Sequence, residues 1–523
     1  MRMFCKYCAA ELEDSAKFCS VCGKLQQAQA AASQSGDGAS GKAVCGNCGK
    51  DLERSWMLCL YCGTKVNYEP ADEAKPDIAE KPLAARKQEP EKAGLYDGNE
   101  YRGPLDILDS IDWITLNGKD GGNYLIVLGK DEAVPYAILQ FEGKHVSVSL
   151  KSLGPECTVQ REGTFDKPLF AVGSGVTFIL EAGVALVGVS GNKAPVVVVK
   201  KDGTFIMNGG SISGNSIKGS GSGVDVQGGT FTMNGGSISG NSVWGDGGSG
   251  GGVYVRGGTF TMSDGTISGN SAHCYYGRGG GVCVFDGTFT MSGGTISGNS
   301  TQSGGANYGG GVYVKGGTFT MNDGSISRNS SYGDGGGVCV MDGTFTMSGG
   351  TISGNSSQSL RGGGGVYVED GTFTMSDGTI SGNSVAEDSD SVYGDGGGVY
   401  VRSGTFTMSG GTISGNSSHV NGGGVYVEGG IFIMNSGMIS GNSAKGKSNN
   451  YHNGGGGVYV SSSGRFIKSK GSVIYGSNTP AEQANTAPSG AVVYCSSYKI
   501  RNTTARLGTV MDSEKDGTEG GWE

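Results

Sequence analysis

Four Cys-x-x-Cys pairs open this sequence: Cys5 with Cys8, Cys19 with Cys22, Cys45 with Cys48, and Cys59 with Cys62. They form two quartets, each with ten residues between the inner cysteines. Thiolates are soft anionic ligands, and two short knuckles that gather four of them suit a closed tetrahedral zinc site with no open position for a substrate. The ions expected are two structural Zn2+, and binding them would supply most of what folds units this small. Two disulfides per unit, or a redox dithiol, would use the same residues. No apolar signal segment precedes Cys5, because Met1-Arg2-Met3-Phe4 is too short. An oxidising compartment is therefore not indicated, and cytoplasm is the expected location. Display at the cell surface by an unrecognised export route is the alternative.

The other five cysteines are Cys157, Cys274, Cys283, Cys339 and Cys495. An odd number does not make a finished disulfide framework, and free thiols on the surface are expected. Catalytic groups are scarce. His145, His273, His419 and His452 occupy unrelated positions. Asp246, Asp334 and Asp395 recur in Gly-Asp-Gly-Gly, but their spacing is not that of calcium-binding nonapeptides, so they read as turn formers. No acid and base recur as a pair, and the expectation is that this is not an enzyme.

What must position these residues is a repeat. Phe231, Phe260, Phe289, Phe319, Phe345, Phe373, Phe406 and Phe432 each follow a Val by seven residues and precede an Ile by seven. Only the stretch from Ile to the next Val varies, from 12 residues (Ile212 to Val224) to 19 (Ile380 to Val399). Each copy contains three short alternating runs, Val-Tyr-Val, Thr-Phe-Thr-Met and Thr-Ile-Ser, separated by Gly-Gly or Asp-Gly. Such runs read as strands with one buried face, turned at glycine corners. A triplet this short cannot bury its apolar face alone, so copies must stack. The fold expected is an all-β, right-handed parallel β-helix of about ten to twelve rungs. Val, Phe, Met and Ile should point inward, and the Asn of Ile-Ser-Gly-Asn should form a corner ladder.

Two outward features could make contacts. The Tyr of Val-Tyr-Val should line one external face. The elastic loops carry Trp244, Tyr275, Tyr276, Tyr308, Tyr332, Tyr393 and Tyr451, which with Gly, Ser and Asn would suit a glycan or protein ligand. The Thr of Thr-Phe-Thr should form two columns. Similar columns occur on ice-binding β-helices, but Thr is simply a favoured exposed strand residue, and that reading is preferred.

Composition bounds the partners. Net charge is −9 over 523 residues, with no basic block in the repeats. Residues 1–65 hold eight Lys or Arg against six acids, too little to indicate nucleic acid. No run of about 18 apolar residues exists, so no membrane span is expected. The organisation expected is two cysteine units (1–25 and 43–66), a flexible linker (26–42), a charged and Pro-rich linker (67–104), an N-terminal cap with lead-in strands (105–168), the β-helix (169–495) and a C-terminal cap or tail (496–523).

The segment Cys5 to Gly63 resembles the tandem zinc ribbons at the start of many prokaryotic proteins, which implies metal binding through all eight cysteines. The repeats resemble the G-G-T-F-T-M-S-G-G-T-I-S-G-N repeats of bacterial right-handed β-helix proteins, spirochaete ones among them. They are more loosely similar to polymorphic outer-membrane adhesin repeats, although Gly-Gly-Gly-Val-Tyr and Ile-Ser-Gly-Asn replace the G-G-A-I and F-x-x-N motifs. The resemblance implies an adhesin-like binding surface. The function expected is a zinc-binding interaction or scaffold protein with a protein or glycan partner. A carbohydrate-active β-helix enzyme, or nucleic-acid contact through the ribbons, is the alternative.

Overall fold

The computed structural model describes residues 90–495, apart from 303–304, 360, 386–393, 447–453, 470–471, 477–481 and 489, together with four two-residue strands nearer the N-terminus. The chain divides into two compact units, Met1–Arg86 and Lys87–Glu523. In the first, Met3–Phe4 pairs antiparallel with Glu11–Leu12, and Ala43–Val44 with Asp51–Leu52. In sequence each pair flanks the first Cys-x-x-Cys of its quartet, so the duplication seen in the cysteines extends to the backbone. The eight cysteines themselves lie outside the described residues.

The second unit is a parallel β-solenoid of about 11 turns, with one helix among the described residues. Its Val-Tyr-Val strands form a sheet that reaches 13 strands, because lead-in and closing segments join it. The Thr-Phe-Thr-Met and Thr-Ile-Ser strands share a second sheet, and short Ser-led strands form a nine-stranded third. Identical residues pair rung to rung: Phe260 with Phe289, Met262 with Met291, Ile267 with Ile296, Val282 with Val312. From Phe231 to Phe432 the rings stack with centroids 4.6–4.7 Å apart and planes tilted by only 4–6°. Parallel sheets normally twist, and flat ones over many strands need side-chain stacking to hold them. Here one unbroken column of rings does so.

The asparagine ladder is present and closed. Asn270, Asn299, Asn329, Asn355, Asn383, Asn416 and Asn442 are fully buried. Each Nδ2 donates to the next Oδ1 at 2.9–3.0 Å and to an Ile carbonyl of the rung before. The last partner is Asn485, reached from Asn442 at 2.9 Å. At the corner before the Phe strand, Asp286, Asp342 and Asp370 adopt φ of +53 to +54°, the left-handed conformation of the Gly they replace.

The coil begins before residue 169. Asn123–Leu128 and Ala137–Leu139 form a first rung on which Val146–Ser152 and Phe170–Val172 stack in register. The helix Ile107–Asn117 accompanies this end, burying Ile107, Ile111 and Ile114 at helical spacing. Asp106 caps it, its side chain accepting from Asp109 N–H at 2.9 Å. Residues 94–103, expected in the linker, are instead a hairpin of Gly94–Asp97 and Glu100–Gly103 that pairs with Asn123–Leu128. Its turn needs Gly98 at φ +61°. At the other end Lys468 takes the inward Met position, in register with Met434. It is buried, its Nζ has no hydrogen-bond partner among the described residues, and burial lowers its pKa.

Candidate functional site

The elastic corner builds an exposed strip along the nine-stranded sheet. In its strands the first residue is a half-buried Ser and the second is buried (Val243, Ala272, Thr301, Ser331), so the third faces out. Trp244 and His273 occupy that position in register. Gln302 and Tyr332 follow on the next two rungs, their N–H groups donating to Ala272 and Thr301 at 3.1 and 3.0 Å. Trp244 to Tyr332 therefore spans three rungs, about 14 Å. Tyr275 and Tyr276 meet edge to face at 4.8 Å just beyond His273. Trp244, Tyr275, Tyr276 and Tyr332 are 43–52 % exposed. Tyr308 departs from the expected surface, being half-buried with its ring 6.1 Å from Tyr313. Tyr393 and Tyr451 lie outside the described residues. His273 and Gln302 belong to the strip although composition gave no hint of them; their place two residues after the Ser of Asn-Ser was the available signal.

The tyrosines of Val-Tyr-Val do not form an external face. Tyr313, Tyr367, Tyr400 and Tyr459 are buried and only Tyr254 and Tyr426 are partly open. They point away from the coil interior, yet the loop before each strand folds back across them. Gly363 and Gly396, first of their Gly triplets, sit so close that an added Cβ would lie 2.9 Å from the Cβ of Tyr367 and of Tyr400. Only glycine permits this approach, so the triplets serve as a lid as well as a corner. Tyr367, Tyr400, Tyr426, Tyr459 and Tyr494 stack at 4.8–5.3 Å as a second aromatic column. The same lid covers Cys283 and Cys339, which take the Tyr position, whereas Cys157, Cys274 and Cys495 are buried elsewhere in the coil. Cys157, Cys274, Cys283, Cys339 and Cys495 are all free and all buried, which corrects the expectation of surface thiols. Burial pushes Cys283 up to about 12 and Cys339 well above its usual value, so both are inert as nucleophiles.

Asp334 and Asp395 lie in the turns that lead into Val strands, and they are buried there. They occupy one column, two rungs apart, with Gly362 between them; Asp246 lies outside that column and is exposed. Burial is the largest influence and raises Asp334 to about 6 and Asp395 to about 7. The Asn421 N–H, 3.0 Å from Asp395 Oδ1, works the other way. Nearby, Arg402 pairs with Glu369 and, at 3.7 Å, with Glu428. Tyr367 and Tyr400 donate to those two carboxylates at 2.9 and 3.1 Å. Among the described residues no three His, Cys, Asp or Glu converge as a metal site.

These carboxyls make stability depend on pH. The folded chain holds the Asp395 proton more tightly than the unfolded chain, so its contribution is complete below about pH 4 and is lost as pH rises to about 7. The shift of about 3 pH units corresponds to on the order of 4 kcal/mol. Asp395→Asn is expected to flatten this fall and to be more stable than the parent at pH 8. Urea denaturation at pH 5 and pH 8 checks this, and parallel slopes for the two proteins would count against it.

Among the described residues no helix is long and apolar enough to cross a membrane. Comparison with known proteins gives one positive finding: residues 4–25 match the zinc-ribbon domain family, a segment that contains Cys5, Cys8, Cys19 and Cys22. Four thiolates in two knuckles are a donor set that fits zinc, which would act there as a structural ion. No curated protein and no solved structure matches the chain. The chain thus joins a zinc-ribbon domain at its N-terminal end to a parallel β-solenoid.

Proposed function

We propose that this is a non-enzymatic, zinc-binding interaction or scaffold protein. Its second quartet, Cys45, Cys48, Cys59 and Cys62, repeats the spacing of the matched ribbon and would hold a second structural Zn2+. The solenoid would then present a binding edge to a protein or glycan partner. The observation that carries this is the exposed strip of Trp244, His273, Gln302, Tyr332, Tyr275 and Tyr276 on an otherwise flat, regular rod. Rigid aromatics beside amides and hydroxyls are the composition of adaptable contact surfaces, and a contiguous exposed apolar strip rimmed by polar residues marks an interaction site. Absence of catalysis is supported by the pairing of Glu369, whose two oxygens are taken by Arg402 and by the Tyr367 hydroxyl, while Glu428 accepts from Tyr400.

The test uses the full chain and a variant carrying Trp244→Ala, Tyr276→Ala and Tyr332→Ala. A glycan array and quantitative binding to any partner found should show a loss of about tenfold or more in the variant. Binding unchanged by the three substitutions would remove the strip from the reading. Reducing ends or unsaturated products released from a polysaccharide panel would replace it with the enzyme alternative. Elemental analysis should give two zinc ions per chain, and one would confine metal to the matched ribbon.

A further inference from the structure

A second surface lies on a different face of the coil. Where the chain enters the rod, Pro90-Glu91-Lys92 runs beside the outer face of the first rungs and encloses a groove of about 1030 Å³. Its floor contains Tyr96, Tyr101, Leu125, Ser149 and Ile179, which are in register as successive members of one outward column. The column continues without a break through Ile206 into Thr232, Thr261 and the Thr of every later copy to Thr407. Beside it runs Asn123, Ser147, Thr177, Thr204 and Thr230, ending at Thr405. Over eleven rungs and two positions per rung neither column contains a charge, in a chain that is 17 % charged.

Four observations define what fits. The two tyrosine rings are fixed: Tyr96 OH exchanges hydrogen bonds with the backbone of Lys92 at 3.0–3.1 Å, and Tyr101 OH donates to Ala93 at 2.9 Å. Their centroids lie 5.1 Å apart with the planes inclined by 56°, so they offer two adjacent ring faces set at an angle. The charged lining residues are two of each sign, Glu91 and Glu181 against Lys92 and Lys151, which favours neither an anion nor a cation. Glu181 already accepts from Asn208 at 3.2 Å. The main-chain groups of the floor are committed to the ladder linking 94–97, 123–128, 146–152 and 176–180, so an extended peptide laid on it would find no strand to pair with. What remains is a ligand with apolar ring faces for the tyrosines, hydroxyls for the Ser, Asn and Thr, no net charge, and enough length to follow the columns.

We infer that this groove, with the uncharged Thr columns that continue it, binds a neutral linear polysaccharide laid along the rod axis, with Tyr96 and Tyr101 as stacking platforms. The site is independent of the aromatic strip at the elastic corner, and one can fail without the other. Affinity electrophoresis of the full chain through gels containing mannan, xyloglucan, laminarin or polygalacturonate tests it. At least one neutral polymer should retard the chain, and anionic polygalacturonate should not. Tyr101→Ala should weaken that retardation by about tenfold. A charge placed in the exposed column by Thr230→Lys with Thr259→Lys should weaken it as well. Melting curves that overlay the parent's establish that the variants are folded. Trp244→Ala with Tyr332→Ala should leave retardation unchanged. Migration unaffected by every neutral polymer, retention of binding by either the Tyr101 or the double Thr variant, or loss of binding in the Trp244 and Tyr332 variant would each overturn the assignment.

Discussion

Asn329→Ala is expected to lower the unfolding free energy by on the order of 5 kcal/mol, more than any surface change in this chain could. Asn329 donates to Ile296 O at 3.0 Å and to Asn355 Oδ1 at 2.9 Å, while its Oδ1 accepts the N–H and Nδ2 of Asn299 at 3.0 Å each. Truncation orphans a carbonyl and two donors in a region with no water access, and each buried unsatisfied group costs about 1–3 kcal/mol. Because each rung touches only its neighbours, the damage should be local. Amide exchange should accelerate first around Asn299 and Asn355, with rungs near Asn241 little changed. Equilibrium denaturation measures the total. A loss below about 1 kcal/mol would mean that the ladder relaxes around the gap and is not what holds the corner.

Phe319→Ala is the second large effect, at about 4 kcal/mol. The ring is fully buried and lies 4.7 Å from Phe289 on one side and 4.7 Å from Phe345 on the other. Its removal leaves a cavity bounded by two rigid rings that cannot close on each other, since the strands on either side are held at rung spacing. Phe466→Ala offers the internal comparison. That ring stacks on Phe432 at 5.0 Å with an 18° tilt at the closing end, where the following rung no longer contributes a Phe. It should cost clearly less. Equal losses in the two variants would argue that burial alone, without the column, sets the value of each ring.

Much of this fold was legible in the residues. The fixed seven-residue intervals around each Phe determined which residues meet, because identical rungs can stack only in register; Phe260 over Phe289 and Asn270 over Asn299 follow from that alone. The elastic interval from Ile to Val located the edge that carries Trp244, Tyr275, Tyr276 and Tyr332, since insertions are tolerated only where the chain loops out. The paired cysteines of residues 4–25 were legible for the same reason, as spacing along the chain is all that a thiolate quartet requires.

Only the tertiary structure decided what covers each face. Period-two alternation tells a side chain to leave the coil interior, but not whether something lies above it. Thr259 and Tyr400 both point outward, and Thr259 is open while Tyr400 is sealed beneath its own glycine triplet. The same lid hid Cys283 and Cys339, and Asp334 and Asp395 are buried within the loops that lead into it. The hairpin of residues 94–103 is not legible locally, because the strand it docks on, Asn123–Leu128, lies beyond the next helix in sequence. Local periodicity fixes direction and register, which are properties of one rung. Cover and closure depend on where loops from other parts of the chain cross, and short-range spacing does not encode that path.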